Sequence, residues 1–288
     1  MGLAFAVGVA LNSAFVIVEA GAGFWTHSMA LLADAGHNVS DVLALLLAWG
    51  AVKLAKRAPS ARRTYGLRKG TILVSMANGV LLLLAVGGIV TESIHRFSEP
   101  AAVSTRIVML TAGLGILINT ATALMFMRGS KDDLNVRGAF LHMASDAAVS
   151  LAVVVGAGLI AMTGLTWIDP ALGLGIALVI LIGTWGLLHD SVDLALDAAP
   201  ASIDVDAVRG WLCGLPGVAE VHDLHIWAMS TTETALTAHL IRPANNDGDS
   251  FLHTACEGLA SRFNIGHATL QVETNATGGC RLAPAEVV

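Results

Sequence analysis

The chain has 288 residues, of which 55% are hydrophobic and 13% are charged, and its formal net charge is −6. Soluble domains carry about 25% charged residues, so this composition excludes a protein that is soluble along its whole length and predicts an integral membrane protein. The acidic balance gives no reason to expect a nucleic acid as a partner. The three cysteines, Cys213, Cys256 and Cys280, lack Cys-x-x-Cys spacing, which argues against a disulfide framework and fits a reducing cytosolic setting.

Six stretches of the sequence are long and apolar enough to cross a bilayer as helices, which takes roughly 20 mostly apolar residues. In chain order they cover residues 3–25, 29–54, 71–95, 105–127, 137–162 and 168–188. Gly156, Gly158, Gly173 and Gly175 are expected to let neighbouring helices pack closely. We therefore predict an α-helical membrane protein with a six-helix transmembrane domain over residues 1–190.

Basic residues in the short loops predict how the chain is oriented in the membrane. The loop after the second span contains Lys53, Lys56, Arg57, Arg62, Arg63, Arg68 and Lys69, and the loop after the fourth contains Arg128, Lys131 and Arg137. On the opposite side, only Arg96 and Arg106 lie between the third and fourth spans. We expect the basic loops to be cytosolic, which places both termini in the cytosol.

The sequence changes character after Asp190, where charged residues return and the apolar segments become shorter. We place a domain boundary near residue 200 and predict a cytosolic domain over residues 200–288. The pattern predicts a helix at 204–214, strands at 218–229 and 233–241, a helix at 250–263 and a strand at 267–273. This order is typical of a small α+β domain of the ferredoxin-like type.

The second and fifth predicted spans carry the same motif, His-x-x-x-Asp. It consists of His37 and Asp41 in the second span and of His142 and Asp146 in the fifth. Residues i and i+4 are neighbours on one helix face, so each helix offers an imidazole beside a carboxylate. Two such faces brought together give two nitrogen and two oxygen ligands, a set that zinc accepts in tetrahedral geometry. Placing a charged residue at mid-bilayer costs about 2.5–3.5 kcal/mol of insertion free energy. Helix packing alone therefore does not explain two copies of the His-x-x-x-Asp motif.

Other polar residues also lie within the predicted spans. The sequence leaves two roles possible for Asp34: a structural role as a helix cap, or a role as a partner of the metal ligands. Glu19 is equally open between a functional and a structural role. Asn12 and Asn119 are expected to form interhelical hydrogen bonds.

These segments resemble the cation diffusion facilitator family of zinc and related metal transporters, almost from one end of the chain to the other. The resemblance rests on SMALLADAGHNVSD at 28–41, TYGLRK at 64–69, LNVRGAFLHMASD at 134–146, the Asp-Pro at 169–170 and VHDLHIW at 221–227. The paired membrane motifs are its most specific part, and the segment at 221–227 is less specific.

The resemblance implies a homodimer of six-helix protomers, each with a ferredoxin-like cytosolic domain, that exports metal from the cytosol in exchange for protons. Carried over by position, it implies a transport site made of His37, Asp41, His142 and Asp146. Family members with this ligand set resemble zinc carriers and often tolerate cadmium or cobalt. We expect a multi-pass protein of the bacterial inner (plasma) membrane that is not an enzyme.

The cytosolic domain resembles one that binds metal between subunits and regulates transport. Its candidate ligands are His222, His239 and Glu273, with Gln271, His253 and Cys280 further behind. His222 and His239 lie on adjacent predicted strands, and Glu273 ends the third. Since histidines are common on strand surfaces, and His225 and His267 also fit as packing partners, metal binding here stays open.

The loops differ from the family pattern in two ways. The loop at 128–133 has no histidine, where many relatives have a histidine-rich stretch, and Leu67 stands where some relatives have a metal-binding histidine. We therefore predict no metal site in the loop between the second and third spans. The resemblance also pairs Lys69 with Asp197, a contact that either ties the dimer together or is an ordinary juxtamembrane charge pair.

The same residues bear on three alternative functions. A membrane metalloprotease requires a motif such as His-Glu-x-x-His, which does not occur in the sequence. A metal sensor that does not transport would keep the ligands and lack flux. A carrier for manganese or iron is a further alternative, but two histidines favour zinc over manganese.

Overall fold

The computed structural model describes residues 3–55, 57–99, 101–127, 134–243 and 248–274. Cys280 and the loop at 128–133 lie outside the described residues, and so does the side chain of Asn12.

Six long helices occupy the first two-thirds of the chain. They are α1 (Leu3–Thr26), α2 (Met29–Ala55), α3 (Gly70–Ser98), α4 (Thr105–Met127), α5 (Leu134–Thr163) and α6 (Ile168–Ala195). Within the described residues, four stretches are long and apolar enough to cross a membrane, namely Gly70–Ser98, Thr105–Met125, Phe140–Thr163 and Ile168–Ala195. α1 adds a shorter apolar stretch, Ser13–Thr26. The helix α6 ends at Ala195, seven residues after the predicted end at 188. The prediction ended where the apolar run ends, whereas the helix itself continues into the polar segment that follows.

The C-terminal part forms a two-layer α+β unit. Its elements are α7 (Val205–Cys213), β1 (Glu220–Ala228), β2 (Thr234–Ile241), α8 (Gly248–Phe263) and β3 (His267–Glu273). The sheet order is β1-β2-β3, with β2 antiparallel to β1 and parallel to β3. Val208 and Leu212 of α7 and Leu259 of α8 are fully buried against the sheet, which closes the core of this unit.

The chain packs into two compact units. One comprises Met1–Leu47 with Ala77–Leu187, and the other comprises Ala48–Met76 with Leu188–Val288. The segment between α2 and α3 therefore belongs with the C-terminal elements. Within that second unit, Arg68 forms an ion pair with Glu233 at 3.0 Å, and the Thr231 amide donates a hydrogen bond to the Thr71 hydroxyl at 3.1 Å.

Buried small and branched side chains form the helical core of the first unit. This core takes residues from five helices, including Leu31 of α2, Val86 of α3, Val108 of α4, Val153 of α5 and Ala177 of α6. Many large apolar residues on the outer faces of these helices are exposed, for example Leu84, Leu117 and Ile182 at 68–69%. Apolar outer faces around a packed core are what a lipid environment requires.

Two of the four glycines predicted to aid helix packing do so. A Cβ atom on Gly156 would lie 2.0 Å from Leu172 Cδ1, and one on Gly173 would lie 3.0–3.2 Å from Met29, including its backbone. Among the described residues, Gly158 and Gly175 have no neighbouring atom within 4 Å of such a position, so the prediction was wrong for them there. Glycine spacing alone does not say which face of a helix meets a neighbour.

This difference predicts opposite effects for two neighbouring substitutions on α6. Gly173→Ala should lower the thermal stability of the protein in detergent, because the new methyl group meets the stiff backbone of Met29. Gly175→Ala is the matched control and should leave stability unchanged or raise it by up to about 1 kcal/mol, since alanine is the better helix former. Equal melting temperatures for the two variants would contradict this packing.

Candidate metal centre

The two His-x-x-x-Asp motifs of α2 and α5 meet in the first unit. His142 Nε2 lies 3.2 Å from Asp41 Oδ2, and His37 Nε2 lies 3.7 Å from Asp146 Oδ1, so each histidine contacts the carboxylate of the other helix. Within each helix the histidine and aspartate are also 3.7 Å apart. The structure thus brings all four residues of the predicted transport site together.

The separations within this group agree with tetrahedral metal binding. Zinc binds imidazole nitrogen and carboxylate oxygen at about 2.0–2.2 Å, so two ligands of a tetrahedral site lie about 3.3–3.6 Å apart. The four nitrogen–oxygen distances range from 3.2 to 3.7 Å. The ligand atoms of His37, His142 and Asp146 also lie within 4.8 Å of one another. Asp41 is not in this group of three, so the side chains must move for all four residues to bind one ion.

Three buried polar atoms of these residues make no hydrogen bond of good geometry within the described part of the chain. Among the described residues, the buried atoms His37 Nδ1, Asp41 Oδ2 and Asp146 Oδ2 lack one. Buried polar atoms without partners are rare in folded proteins and call for an explanation. A cation bound between the two helices would satisfy the carboxylate oxygens, so the donor set fits a metal.

A cavity of about 680 Å³ reaches this group. His37, Asp41 and Asp146 line it together with mostly apolar residues of α3, α5 and α6, and it extends along α6 as far as Leu187. The side chain of Asp146 is only 2% exposed, whereas that of His142 is 40% exposed. The site therefore has one deeply buried ligand and others that solvent can reach.

Ser28 and Asp169 fix the start of α2, the helix that carries His37 and Asp41. The Ser28 hydroxyl and the amides of Met29 and Ala30 all donate hydrogen bonds to the Asp169 carboxylate at the start of α6. A carboxylate at a helix N-terminus accepts hydrogen bonds from the free amides there, and the helix dipole stabilises its negative charge. The sequence pattern singled out the Asp-Pro at 169–170 without a role, and this capping contact supplies one.

The other intramembrane polar residues lie apart from the four ligands. Asp34 does not cap α2, since it accepts a hydrogen bond from the Ser150 hydroxyl of α5 at 3.0 Å. Glu19 of α1 accepts a hydrogen bond from the Asn38 amide of α2 at 2.9 Å. Asn119 is fully buried on α4, but its amide atoms have no hydrogen-bond partner within the described part of the chain, so its predicted interhelical bond is not observed there.

A second histidine–carboxylate group lies on the sheet of the second unit. His222 and His239 face each other in the β1–β2 register, with ring centroids 5.3 Å apart. Glu273 Oε1 lies 3.6 Å from His222 Nε2 and 3.2 Å from His239 Nδ1. The structure therefore brings together the three residues that the sequence suggested as cytosolic ligands.

Asp223 also belongs to this group, although the sequence pattern did not suggest it. Its Oδ2 lies 3.5 Å from His239 Nε2 and its Oδ1 lies 2.8 Å from His225 Nε2. The β1–β2 register shifts between His222 and His225, and Asp223 has a positive φ of 50°. Regular alternation would point Asp223 away from His222, so a bulge of this kind is what brings both to one side.

The remaining cytosolic candidates have different partners. Gln271 donates a hydrogen bond to Glu273 at 3.0 Å and so orients a candidate ligand. His253 pairs with Glu257 on the exposed face of α8 and is not part of the group. His267 packs edge-on against Tyr65, as a packing partner would. The predicted Lys69–Asp197 contact is confirmed at 2.6 Å.

Comparison with known proteins assigns both parts of the chain. Residues 5–194 match the family model described as the cation efflux transmembrane domain, and residues 200–275 match the one described as the cation efflux protein, cytoplasmic domain. The chain belongs to the cation efflux family. The predicted resemblance to metal transporters is thereby confirmed, and the protein is a multi-pass membrane protein of a transporter family.

Related cation efflux proteins match nearly the whole chain. The metal cation efflux system protein CzcD of Cupriavidus metallidurans is 35% identical over 268 residues, which cover 93% of this chain and 85% of CzcD. The zinc transporter ZitB of Escherichia coli is 36% identical over 273 residues, covering 94% and 86%. The cadmium, cobalt and zinc/H(+)-K(+) antiporter of Bacillus velezensis is 34% identical over 267 residues, covering 91% and 85%.

The cytosolic group allows a direct test of metal binding on the full-length protein. In a background with the membrane ligands removed (Asp41→Ala with Asp146→Ala), we expect about one zinc ion per chain to remain bound. Adding His239→Ala should remove it, because this side chain contacts both Glu273 and Asp223. Adding His253→Ala, a surface histidine paired with Glu257, should not. Equal zinc content in the last two proteins, measured by atomic absorption, would argue against a site at His239.

Proposed function

We propose that this protein is a zinc/proton antiporter that exports Zn²⁺ from the cytosol across a bacterial inner membrane and tolerates Cd²⁺ or Co²⁺. The observation that carries the proposal is the group of crossed contacts between His37, Asp41, His142 and Asp146. Relatives whose names refer to zinc, cadmium, cobalt and proton exchange support it.

The membrane arrangement is part of this proposal. The six helices α1–α6 are taken to span the bilayer as a transmembrane domain over residues 1–190, followed by a ferredoxin-like cytosolic domain over residues 200–288. The exposed Arg57, Arg62 and Arg63 between α2 and α3 support a cytosolic position of that loop. Both termini then lie in the cytosol.

Charge balance explains how this ligand set can carry zinc through a membrane. Two ionised aspartates cancel the charge of Zn²⁺, and two neutral histidines complete the coordination without adding charge. The loaded site can then be closed off from water at a tolerable electrostatic cost. The cavity beside His37 and Asp41 offers a route by which the ion reaches the ligands.

Proton exchange follows from the same ligands. Histidine must be neutral and aspartate ionised to bind the metal, so protons compete with zinc for the site. Reference pKa values are about 6.5 for histidine and about 3.9 for aspartate. The histidines are therefore the groups that exchange protons near neutral pH. Zinc leaves where the proton concentration is higher, and the site returns protonated.

Ligand chemistry favours zinc over other divalent ions. Manganese and magnesium prefer carboxylate, carbonyl and water oxygens, whereas imidazole suits zinc and its neighbours in the periodic table. With two histidines among four ligands, the site fits zinc, and it also fits cobalt and cadmium.

We propose a homodimer with a regulatory zinc site in the cytosolic domain. The matched cytoplasmic domain and the His222, His239 and Glu273 group support this part. The Lys69–Asp197 pair is proposed to stabilise the dimer. Both side chains of the pair are about half exposed, so its effect on the stability of one chain is expected to be below about 1 kcal/mol.

The transport proposal predicts which aspartates are required. In liposomes with an imposed proton gradient, Asp41→Ala and Asp146→Ala should each reduce zinc flux by more than about 100-fold, because each removes a ligand and leaves the charge of the ion uncompensated. Asp193→Ala is a matched control, since His189 and Asp193 form the same i,i+4 pair at the exposed end of α6. That variant should keep wild-type flux.

The other outcomes of this assay each have a meaning. Flux that survives both ligand substitutions would mean that the transport site lies elsewhere. A folded wild-type protein that binds zinc without moving it would favour the sensor alternative. Zinc flux that does not respond to the proton gradient would contradict the exchange mechanism.

A charge exchange tests the proposed role of Lys69 and Asp197 in the dimer. Lys69→Asp and Asp197→Lys should each shift the protein toward the monomer and slow transport, because each replaces the observed ion pair by two like charges. The double variant should restore both properties. If neither single substitution changes the dimer, measured by light scattering in detergent, the pair has no such role.

A further inference from the structure

A second cluster of polar side chains is buried in the first unit, and the proposed transport site does not use it. It consists of Glu19 on α1, Asp34 and Asn38 on α2, and Ser150 on α5, and is called the Glu19–Asp34 cluster below. Each of the four residues is at most 1% exposed. Ionisable residues at membrane depth are expensive, so two carboxyl groups placed together require a functional reason.

Each carboxyl group of the cluster has one oxygen atom with a donor and one without. The Asn38 amide donates to Glu19 Oε2, and the Ser150 hydroxyl donates to Asp34 Oδ2. Glu19 Oε1 and Asp34 Oδ1 are buried and receive no hydrogen bond from a described residue. Asp34 and Asn38 lie one helical turn apart on the same face of α2, so the hydrogen bond from Asn38 places the Glu19 carboxyl group beside that of Asp34. Two buried anions side by side repel each other, whereas one proton held by the pair removes that repulsion.

We propose that the Glu19–Asp34 pair is a proton-binding site of the exchange cycle, separate from the metal ligands, which holds one proton while the transport site is empty and releases it when the metal binds. This inference rests on the zinc/proton exchange proposed above. It adds a second place, on α1, at which the protein takes up a proton that it exchanges for zinc.

The cluster and the metal ligands are linked through the same two helices. Ser150 lies one helical turn after Asp146 on α5, and Asn38 directly follows His37 on α2. Among the described residues, the ionisable groups that act on the pair are Asp146, which affects both carboxyl groups, and His37, which affects Asp34. The helix α4, which packs against α1 and α5, carries no ionisable residue after Arg106.

This proximity couples metal binding to proton release. The ionised aspartates of the empty transport site, Asp146 above all, repel a second negative charge on the pair. A divalent cation at that site cancels this repulsion, so metal binding favours loss of the proton. The step breaks one carboxyl O–H bond and passes the proton to water, and both carboxylates remain as anions. When the metal leaves, repulsion between the two anions favours uptake of a proton again.

Counting the protons released on zinc binding tests the proposal. Calorimetry of the full-length protein in buffers of different ionisation enthalpy gives this number for the wild type and for the isosteric variants Glu19→Gln and Asp34→Asn. Each variant should release about one proton fewer per zinc ion, because the pair can no longer give up its proton. Glu92→Gln is the matched control, since Glu92 on α3 pairs with Arg96 and lies outside the cluster. It should release as many protons as the wild type.

Two variants are used because either substitution alone could disturb helix packing. A lower proton count in one folded variant that still binds zinc supports the proposal. An unchanged count in both would overturn it, and so would loss of zinc binding in both, since the pair would then serve to hold the site together. A wild-type protein that releases no protons on binding zinc would instead contradict the exchange mechanism on which the proposal rests.

Discussion

The cost of placing charge inside a bilayer governs the arrangement of this protein. An isolated carboxylate among membrane helices is so unfavourable that it needs a cation, a proton or several donors close by. Each buried acidic residue described in the helical unit obeys this constraint in its own way. Asp146 faces two histidines, Asp169 accepts three hydrogen bonds, and Glu19 and Asp34 each accept one from a buried polar side chain. Among the described residues of this unit, the first arrangement is the one in which three possible metal ligands meet.

Precise contacts between helices make that arrangement possible. The cap from Asp169 joins the start of α2 to α6, and the close approach at Gly173 brings the same two helices together at Met29. The hydrogen bond between Ser150 and Asp34 joins α2 to α5. Because α2 is held at two sides, the face that carries His37 and Asp41 is fixed toward α5. Ligand distances near those of a tetrahedral site follow from this packing rather than from the motif alone.

The sequence predicted most of the membrane site because a helix has one regular period. Once a helix is assigned, the i,i+4 spacing fixes that His142 and Asp146 share a face, and the cost of burial indicates that the face meets another polar one. The helical period does not predict which other helix packs against each face. Gly158 therefore looked equivalent to Gly156, although in the described part of the chain only Gly156 lies close to another helix. Asp34 looked like a cap, although its partner is Ser150. These contacts depend on tertiary packing, which single-helix patterns do not encode.

The cytosolic group shows the same limit for strands. Alternation correctly placed His222 and His239 on adjacent strands and Glu273 on the third, but a regular strand would have turned Asp223 to the opposite face. A register shift next to a positive φ brings Asp223 to within 3.5 Å of His239, and hydrophobic alternation carries no signal for such a bulge. The two groups also differ in how much uncompensated charge they tolerate. The membrane ligands lie inside the helical unit, where the charge of a bound ion has to be balanced by its ligands. In the cytosolic group, His225 is 42% exposed beside Asp223 and remains in contact with water, so surplus negative charge costs less there.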